Sequence, residues 1–279
     1  MELHAPAKVN LTLSVGPRRP DGYHDVSTVM QTVGLYDTLT VTEDGCGLTM
    51  TCTDPALPAD GSNLVLRAAR AFFAETGLSA PGLRFHLEKR VPSQAGLGGG
   101  SSDAASVLLA LRTLYAPSLT DAALECMAAQ LGSDVPFFIR GGTALATGRG
   151  ERIAPLPRLR DAWFVIVKPP EGFSTPAMYR RLDELPPEPY RPADLTAVLE
   201  GGDVRAVAAA LHNSFERAAP PDSTVWAIKA DLLAHGALGA LLSGSGSAVF
   251  GLFADRNAAL AAADRLRPDW PQTFAAPSV

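Results

Sequence analysis

Positive charge, lysine, cysteine and long apolar runs are all scarce in this sequence of 279 residues. Formal net charge is −5, from 24 basic and 29 acidic side chains. That balance excludes broad nucleic-acid binding, which needs a basic face, but it leaves room for a local cationic pocket around a small anion. The three cysteines, Cys46, Cys52 and Cys126, are an odd number with no C-x-x-C pair. They point to free thiols in a reducing compartment rather than to a disulfide framework. The start, MELHAPAKVN, has no apolar segment of secretory type. In the longest uncharged stretch, Gly236 to Ala254, 8 of 19 residues are Gly or Ser, too polar for a membrane span. The expectation is a soluble cytoplasmic chain, monomer or homodimer, with no membrane or nucleic-acid partner. Only four of the basic residues are lysine, Lys8, Lys89, Lys168 and Lys229, so each compact point charge is conspicuous against a background of arginine forks.

What is present is an ordinary globular interior: 47% apolar and 19% charged residues, enough for a core without staples. Val9, Leu11, Leu13 and Val15 alternate with Lys8, Asn10, Thr12 and Ser14, which predicts a half-buried strand carrying Lys8 and Asn10 on its wet face. Strand patterns recur at Leu35–Thr42, at Leu83–Leu87 and, as a buried run, at Trp163–Val167. Helical spacing appears over Asn63–Thr76 with Gly77 as its stop, from about Ser102 to Tyr115, and from Thr120 to Gly132. It returns near Pro192–Leu211, Ser223–His235 and Asp255–Leu266. Ser133–Pro136 reads as a turn or a helix start, Gly141–Gly150 as a glycine-dotted strand or loop, and Pro155 with Pro157 as a linker. Half-buried strands mixed with helices favour an α+β fold over a doubly wound parallel sheet.

The strongest local signal is GLGGGSS, Gly96 to Ser102, placed after a strand and at a helix start. Consecutive glycines remove every Cβ, so backbone N–H groups can approach an anion closely. A helix N-terminus adds unpaired donors and partial positive charge, and Ser101 and Ser102 add hydroxyls. The expectation is a phosphate cradle; a structural turn with a serine cap is the bland alternative. A Walker A loop needs Lys after its second glycine, whereas Ser101 and Ser102 follow Gly100 here. Gly96, Gly98 and Ser101, with Asp121 further on, nearly match the dinucleotide fingerprint. The preceding strand alternates, however, and Asp121 reads better as a first-turn helix acid after Thr120.

Four further features carry chemistry or its structural counterpart. Lys8 could neutralise charge at a phosphoryl-transfer site, or be a strand-edge lysine. Asp134 could accept an alcohol proton, or cap the helix that Pro136 opens. Tyr23-His24, after the Asp21-Gly22 turn, could stack on and hydrogen-bond a flat heterocycle, or fold onto the core. LLSGSGS, Leu241 to Ser247, fits equally a hairpin turn and a small-residue wall beside a ligand.

Together, PAKVNLTL, PSQAGLGGGSSDAA and LLSGSGSAVF, in that order, resemble the GHMP kinase superfamily of small-molecule kinases. DGYH (Asp21–His24), the triple-glycine loop and LGSDVPFF (Leu131–Phe138) resemble its branch that phosphorylates a cytidine-diphosphate-linked polyol for non-mevalonate isoprenoid synthesis. The resemblance covers nearly the whole chain. It implies two domains, an S5-like one over 1–153 and a ferredoxin-like one over 154–279, with the active site in the cleft between them. It implies ATP with Mg2+ as phosphoryl donor and the 2-hydroxyl of the polyol as acceptor. Asp134 matches the catalytic aspartate, Lys8 its partner, and Asn10 lies beside Lys8 on the strand. Pro92, Gly96, Leu97, Gly98, Gly99, Gly100, Ser101 and Ser102 match the ATP-phosphate loop, and Asn63 and Lys89 match positions near the adenine. Tyr23 and His24 match the cytidine-recognition pair, and Tyr179 an aromatic on the other face of the base. No acidic Mg2+ ligand is located; Ser102 is the candidate. The alternatives are a superfamily kinase acting on mevalonate, homoserine or a sugar, and a nucleotide-binding regulator without turnover.

Overall fold

Alternation sets the first strand, and the strand runs well past the alternating stretch. The computed structural model describes residues 1–45, 47–186, 188 and 195–279. The chain runs β1 (Glu2–Arg18), β2 (His24–Glu43), β3 (Leu48–Cys52), α1 (Leu64–Thr76), β4 (Leu83–Glu88), α2 (Gly99–Tyr115), α3 (Asp121–Leu131) and α4 (Val135–Arg140). Then come β5 (Thr143–Thr147), β6 (Arg152–Pro155), β7 (Trp163–Val167), α5 (Thr175–Asp183), α6 (Thr196–Glu200), α7 (Val204–Ala209) and β8 (His212–Asn213). After a 3-10 turn at Ser214–Ala218 follow α8 (Val225–Ala234), β9 (Gly239–Leu242), β10 (Val249–Phe253), α9 (Arg256–Leu266) and β11 (Thr273–Pro277). The fold is α+β, with mixed and antiparallel sheets. Among the described residues no helix is long and apolar enough to cross a membrane. Cys52 and Cys126 are free thiols; Cys46 lies outside the described residues.

Helix boundaries follow cap chemistry. Asn63 caps α1, its Oδ1 accepting from Val65 N at 2.9 Å, and Gly77 ends the helix with φ 68°. Thr120 caps α3 through Ala123 N, which leaves Asp121 in the first turn, paired with Arg112. Asp255 caps α9 through Ala258 N. The helical region near 192–211 is two short helices, α6 and α7, separated at Gly201-Gly202; residues 192–194 lie outside the described residues. Pro155 ends β6, opposite Ala144 of β5, so it is not a linker. Pro is accommodated there because β6 pairs on one side only.

Two compact units interleave along the sequence: Met1–Ala7 with Tyr36–Val91 and Gly98–Arg140, and Lys8–Leu35 with Pro92–Leu97 and Gly141–Val279. In the first, the end of β2 pairs antiparallel with β4, and β4 pairs parallel with β3. Helix α1 packs on α2, and α4 packs on α2 and α3, with Phe72, Phe85, Leu108, Leu111 and Phe137 fully buried. In the second, β1 lies between β2 and β8. The start of β2 pairs antiparallel with β5, and β11-β7-β10-β9 form an antiparallel sheet. Its core joins Val165, Val167, Ile228, Leu232, Ala259 and Phe253 to Leu13 and Val15 of β1.

The polar face of β1 is not wet. Lys8, Asn10, Thr12 and Ser14 are each at most 6% exposed. Period two identifies which residues share a face, but not whether that face meets solvent. Burial is tolerated because the polar atoms bond to one another. Lys8 Nζ donates to Asn10 Oδ1 at 2.6 Å, and Asn10 Nδ2 to Thr28 Oγ1 at 2.8 Å. Thr28 Oγ1 in turn donates to the Thr12 carbonyl at 2.6 Å.

A second buried polar group sits in the first unit. Lys89 Nζ donates to Asp103 Oδ2 at 3.0 Å and to Asp37 Oδ2. Asp37 Oδ1 accepts from the backbone N–H groups of Arg90 and Val91 at 2.6 and 2.8 Å. Asp103 Oδ1 is buried with no partner among the described residues. Burial pushes the Asp103 carboxyl up to about 7 against the pull of Lys89. Burial would lower the Lys89 ammonium, but Asp103 and Asp37 outweigh it and hold its pKa above the ordinary value.

Folded Asp103 therefore keeps a proton that the unfolded chain loses above its ordinary value of 3.8. Its linkage makes stability fall as pH rises from there to about 7. Asp103→Asn should remove that contribution, so the variant gains stability relative to wild type as pH rises across the window. Urea midpoints at closely spaced pH values test this; parallel curves would refute it. Lys89→Met, which leaves the buried Asp37 and Asp103 carboxyl groups without their cation, should lower unfolding free energy by about 3–5 kcal/mol at neutral pH.

Candidate active site

The glycine loop begins in the second unit as a stretch whose carbonyls are all tied back. Ala95 O accepts from Ala248 N at 3.1 Å, and Leu97 O from Lys8 N at 2.9 Å. Between them, Gly96 O accepts from Ser243 Oγ at 2.9 Å. Carbonyl oxygens repel phosphate, so bonding three in succession to protein donors turns their negative ends away from an anion. Gly96 has φ +72°, and a Cβ there would lie 2.0 Å from the Ser243 carbonyl oxygen. Only glycine fits that approach. The LLSGSGS segment contains the turn between β9 and β10, and that turn packs against Gly96. Asn213 Nδ2 fixes the turn by donating to the carbonyls of Leu242 and Gly244 at 2.7 and 2.8 Å. Lys8 Nζ lies 3.4 Å from where a Gly244 side chain would begin. The same unit therefore gathers a buried ammonium, the Asn10–Thr28 chain that orients it, and two glycine turns.

In the first unit the loop becomes the start of α2. Gly98, with φ +71°, occupies the cap position without a side-chain bond, and Ser102 N is the first amide bonded back, to Gly98 O at 2.9 Å. The amides of Gly99, Gly100 and Ser101 precede that first bond and lack an intrahelical acceptor. Ser102 Oγ is buried with no hydrogen-bond partner among the described residues. An orphaned hydroxyl beside a glycine-built helix start fits the phosphates of a nucleotide or their metal ion. Among the described residues no group of three or more His, Cys, Asp or Glu side chains forms a metal cage. Lys89 lies directly under this turn: a Cβ on Gly99 would be 3.1 Å from Lys89 Nζ. Asn63 is spent on its own helix, Nδ2 donating to Pro58 O at 2.7 Å while Oδ1 caps α1. Half-buried Asp134 immediately precedes α4.

The aromatic residues belong to the second unit. Tyr23 is 55% exposed, with the Arg149 guanidinium 4.9 Å over its ring. His24 is buried at the start of β2, its ring stacked on Tyr179 at 4.8 Å and 19°. Tyr179 meets Phe215 edge-on at 4.9 Å. Asp183 Oδ1 lies 2.8 Å from His24 Nε2. His24 and Asp183 line a cavity of about 550 Å3 with Val15, Arg18 and Ser214, within the size range of small-molecule sites.

Two family models match the chain: GHMP kinases N terminal domain over residues 63–142 and GHMP kinases C terminal over 195–272. The 4-diphosphocytidyl-2-C-methyl-D-erythritol kinase of Moorella thermoacetica is 42% identical over 98% of this chain and 97% of its own. That of Symbiobacterium thermophilum is 42% identical over 96% of each. The chain belongs to this family of GHMP kinases. A solved 4-(cytidine 5'-diphospho)-2C-methyl-D-erythritol kinase superimposes with TM-score 0.84 at 39% identity, covering 99% of this chain and 98% of that one. The protein is therefore a small-molecule kinase with the two-domain GHMP kinase fold.

Sequence reading of this GHMP kinase missed three residues that the structure ties to the site. Thr28 completes the Lys8–Asn10 chain, Ser243 binds the loop carbonyl, and Asp183 holds His24. Ser243 sat inside a noticed motif. Thr28 and Asp183 had no local signal, because their partners are 18 and 159 residues away. Gly96→Ala should lower unfolding free energy by more than about 2 kcal/mol, since the methyl group meets backbone and φ is left-handed. Thermal unfolding checks this, and a Tm within a degree of wild type would contradict the close approach.

Proposed function

We propose that the protein transfers the γ-phosphoryl group of ATP to the 2-hydroxyl of 4-diphosphocytidyl-2-C-methyl-D-erythritol, a step toward isoprenoid precursors. The observation that carries the reading is the loop with its three carbonyls bound back and its glycine amides open, in a chain whose relatives are named for that acceptor. The proposed boundary between the two GHMP domains, 153/154, is compatible with the matched segments, 63–142 and 195–272, which lie on either side of it.

The acceptor oxygen attacks the γ-phosphorus, the bond to the β–γ bridging oxygen breaks, and the hydroxyl proton passes to Asp134. Lys8 balances the negative charge spread over the transferring oxygens, and Asn10 with Thr28 keeps its ammonium in one place. The amides of Gly98, Gly99, Gly100 and Ser101, preceded by Pro92, Gly96 and Leu97, receive the phosphates, and the unpartnered Ser102 Oγ stands beside them. Mg2+ bound to those phosphates would neutralise charge, with Ser102 Oγ as this chain's available oxygen. Asn63 and Lys89 lie toward the adenine and act through backbone placement, since their polar atoms are already bonded to protein. Tyr23 offers a ring face to cytosine and His24 a ring edge. The His24–Tyr179 spacing of 4.8 Å admits no base between those two rings, so Tyr179 meets the base from a face that His24 does not cover.

A coupled ADP-release assay tests the reading with the cytidine alcohol against mevalonate and homoserine. Turnover is expected with the cytidine compound alone; turnover only with a control would overturn the substrate. Asp134→Ala should leave nucleotide affinity within a few-fold while lowering kcat by at least ~10^2. Tyr23→Ala should raise KM for the cytidine alcohol about tenfold or more, from a stacking contribution of roughly 1–3 kcal/mol. An effect on KM for ATP instead would misplace the base.

A further inference from the structure

Asp183 is the last residue of α5, where the helix dipole presents its negative end and an acid is unfavourable. Its side chain is 36% exposed, yet one carboxylate oxygen is 2.8 Å from Nε2 of a histidine whose side chain is 7% exposed. An ionised carboxylate only accepts hydrogen bonds, so Nε2 must carry the proton. The other ring nitrogen, Nδ1, has no bonding partner among the described residues. Tyr179 covers one ring face of His24, and that tyrosine is itself held edge-on by Phe215. The ring can neither turn over nor slide without breaking the Asp183 contact or the stack.

We infer that Asp183 is a positioning and specificity residue: it holds His24 as the neutral Nε2–H tautomer, leaving Nδ1 a lone-pair acceptor for an amino group on the ligand's base. This rests on the proposed cytidine acceptor and adds what distinguishes cytosine from uracil. Cytosine carries an amino group where uracil carries a carbonyl oxygen. An acceptor at Nδ1 bonds the first and faces the second lone pair to lone pair, which leaves a buried group unsatisfied. Asp183 touches no substrate in this account; it acts through His24.

Two readouts separate this from a merely structural role. Nitrogen-15 NMR of the histidine-labelled enzyme, with His24→Gln assigning the signal, should show His24 protonated at Nε2 and bare at Nδ1 at neutral pH. Asp183→Ala should give a mixture of tautomers, and Asp183→Asn, which keeps an acceptor oxygen, should preserve the wild-type signature. In calorimetric titrations wild type should bind CDP at least about tenfold more tightly than UDP, the worth of one unmet buried hydrogen bond. Asp183→Ala should bring that ratio to within about threefold of unity, and Asn should restore it. Far-UV circular dichroism of each variant verifies folding. A wild-type His24 protonated on both nitrogens, a bare Nε2, or an undiminished CDP/UDP ratio in folded Asp183→Ala would overturn the inference. Because CDP and UDP are bound rather than turned over, failure of the ADP-release assay beside an intact CDP preference would refute the proposed reaction and leave the role of Asp183 standing.

Discussion

The contact between the Gly96 backbone and the Ser243 carbonyl is the constraint on which the arrangement of the glycine loop and Lys8 in the second unit depends. A methyl group at Gly96 would begin 2.0 Å from that oxygen. At that separation Ser243 Oγ reaches the Gly96 carbonyl, while Ala248 N and Lys8 N take the carbonyls on either side. A wider approach would free three buried acceptors, each worth about 1–3 kcal/mol if left unsatisfied. It would also release the Lys8 main chain, and with it the starting point of the ammonium. One glycine thus sets a backbone distance, the distance sets a bonding pattern, and the pattern sets where a positive charge stands.

Three of the four lysines, Lys8, Lys89 and Lys168, have side chains buried among polar partners, and those partners differ. Lys89 is clamped between two carboxylates, one of which also holds the amides of Arg90 and Val91. Its charge is consumed internally and holds the turn that leads into the glycine loop. Lys8 Nζ instead donates to a side-chain amide oxygen, Asn10 Oδ1, at 2.6 Å. In the proposed reaction Lys8 is the lysine at the reacting centre, while Lys89, bonded to two carboxyl groups, supports the loop.

Much of this was legible in the sequence because the signals were local. The caps at Asn63, Thr120 and Asp255 and the stop at Gly77 follow from side-chain chemistry within a few residues. The glycine loop shows itself because no ordinary turn needs Gly98, Gly99 and Gly100 in a row. What was not legible depends on packing at long range. Lys8, Asn10, Thr12 and Ser14 have the pattern of a solvent face, and only the long-range arrival of Thr28 from β2 makes their burial possible. Pro155 looked like a linker because sequence does not reveal that β6 pairs on one side only. The lining of His24 by Tyr179 and Asp183 joins the start of β2 to α5, with no periodicity to announce it.

The aromatic residues show the same principle from the side of specificity. Tyr23 is open to solvent and carries Arg149 over its ring, so a base arriving on that face exchanges a cation–π contact of about 0.5–1 kcal/mol for a stack. His24 has no such latitude, being fixed by a ring on one face and a carboxylate on one nitrogen. An exposed ring offers a stacking face to any flat heterocycle, whereas an immobilised ring edge can tell a donor from an acceptor. In the proposed site, affinity and discrimination therefore fall on adjacent residues with opposite degrees of constraint, and the more constrained one is held by an aspartate that its own helix disfavours.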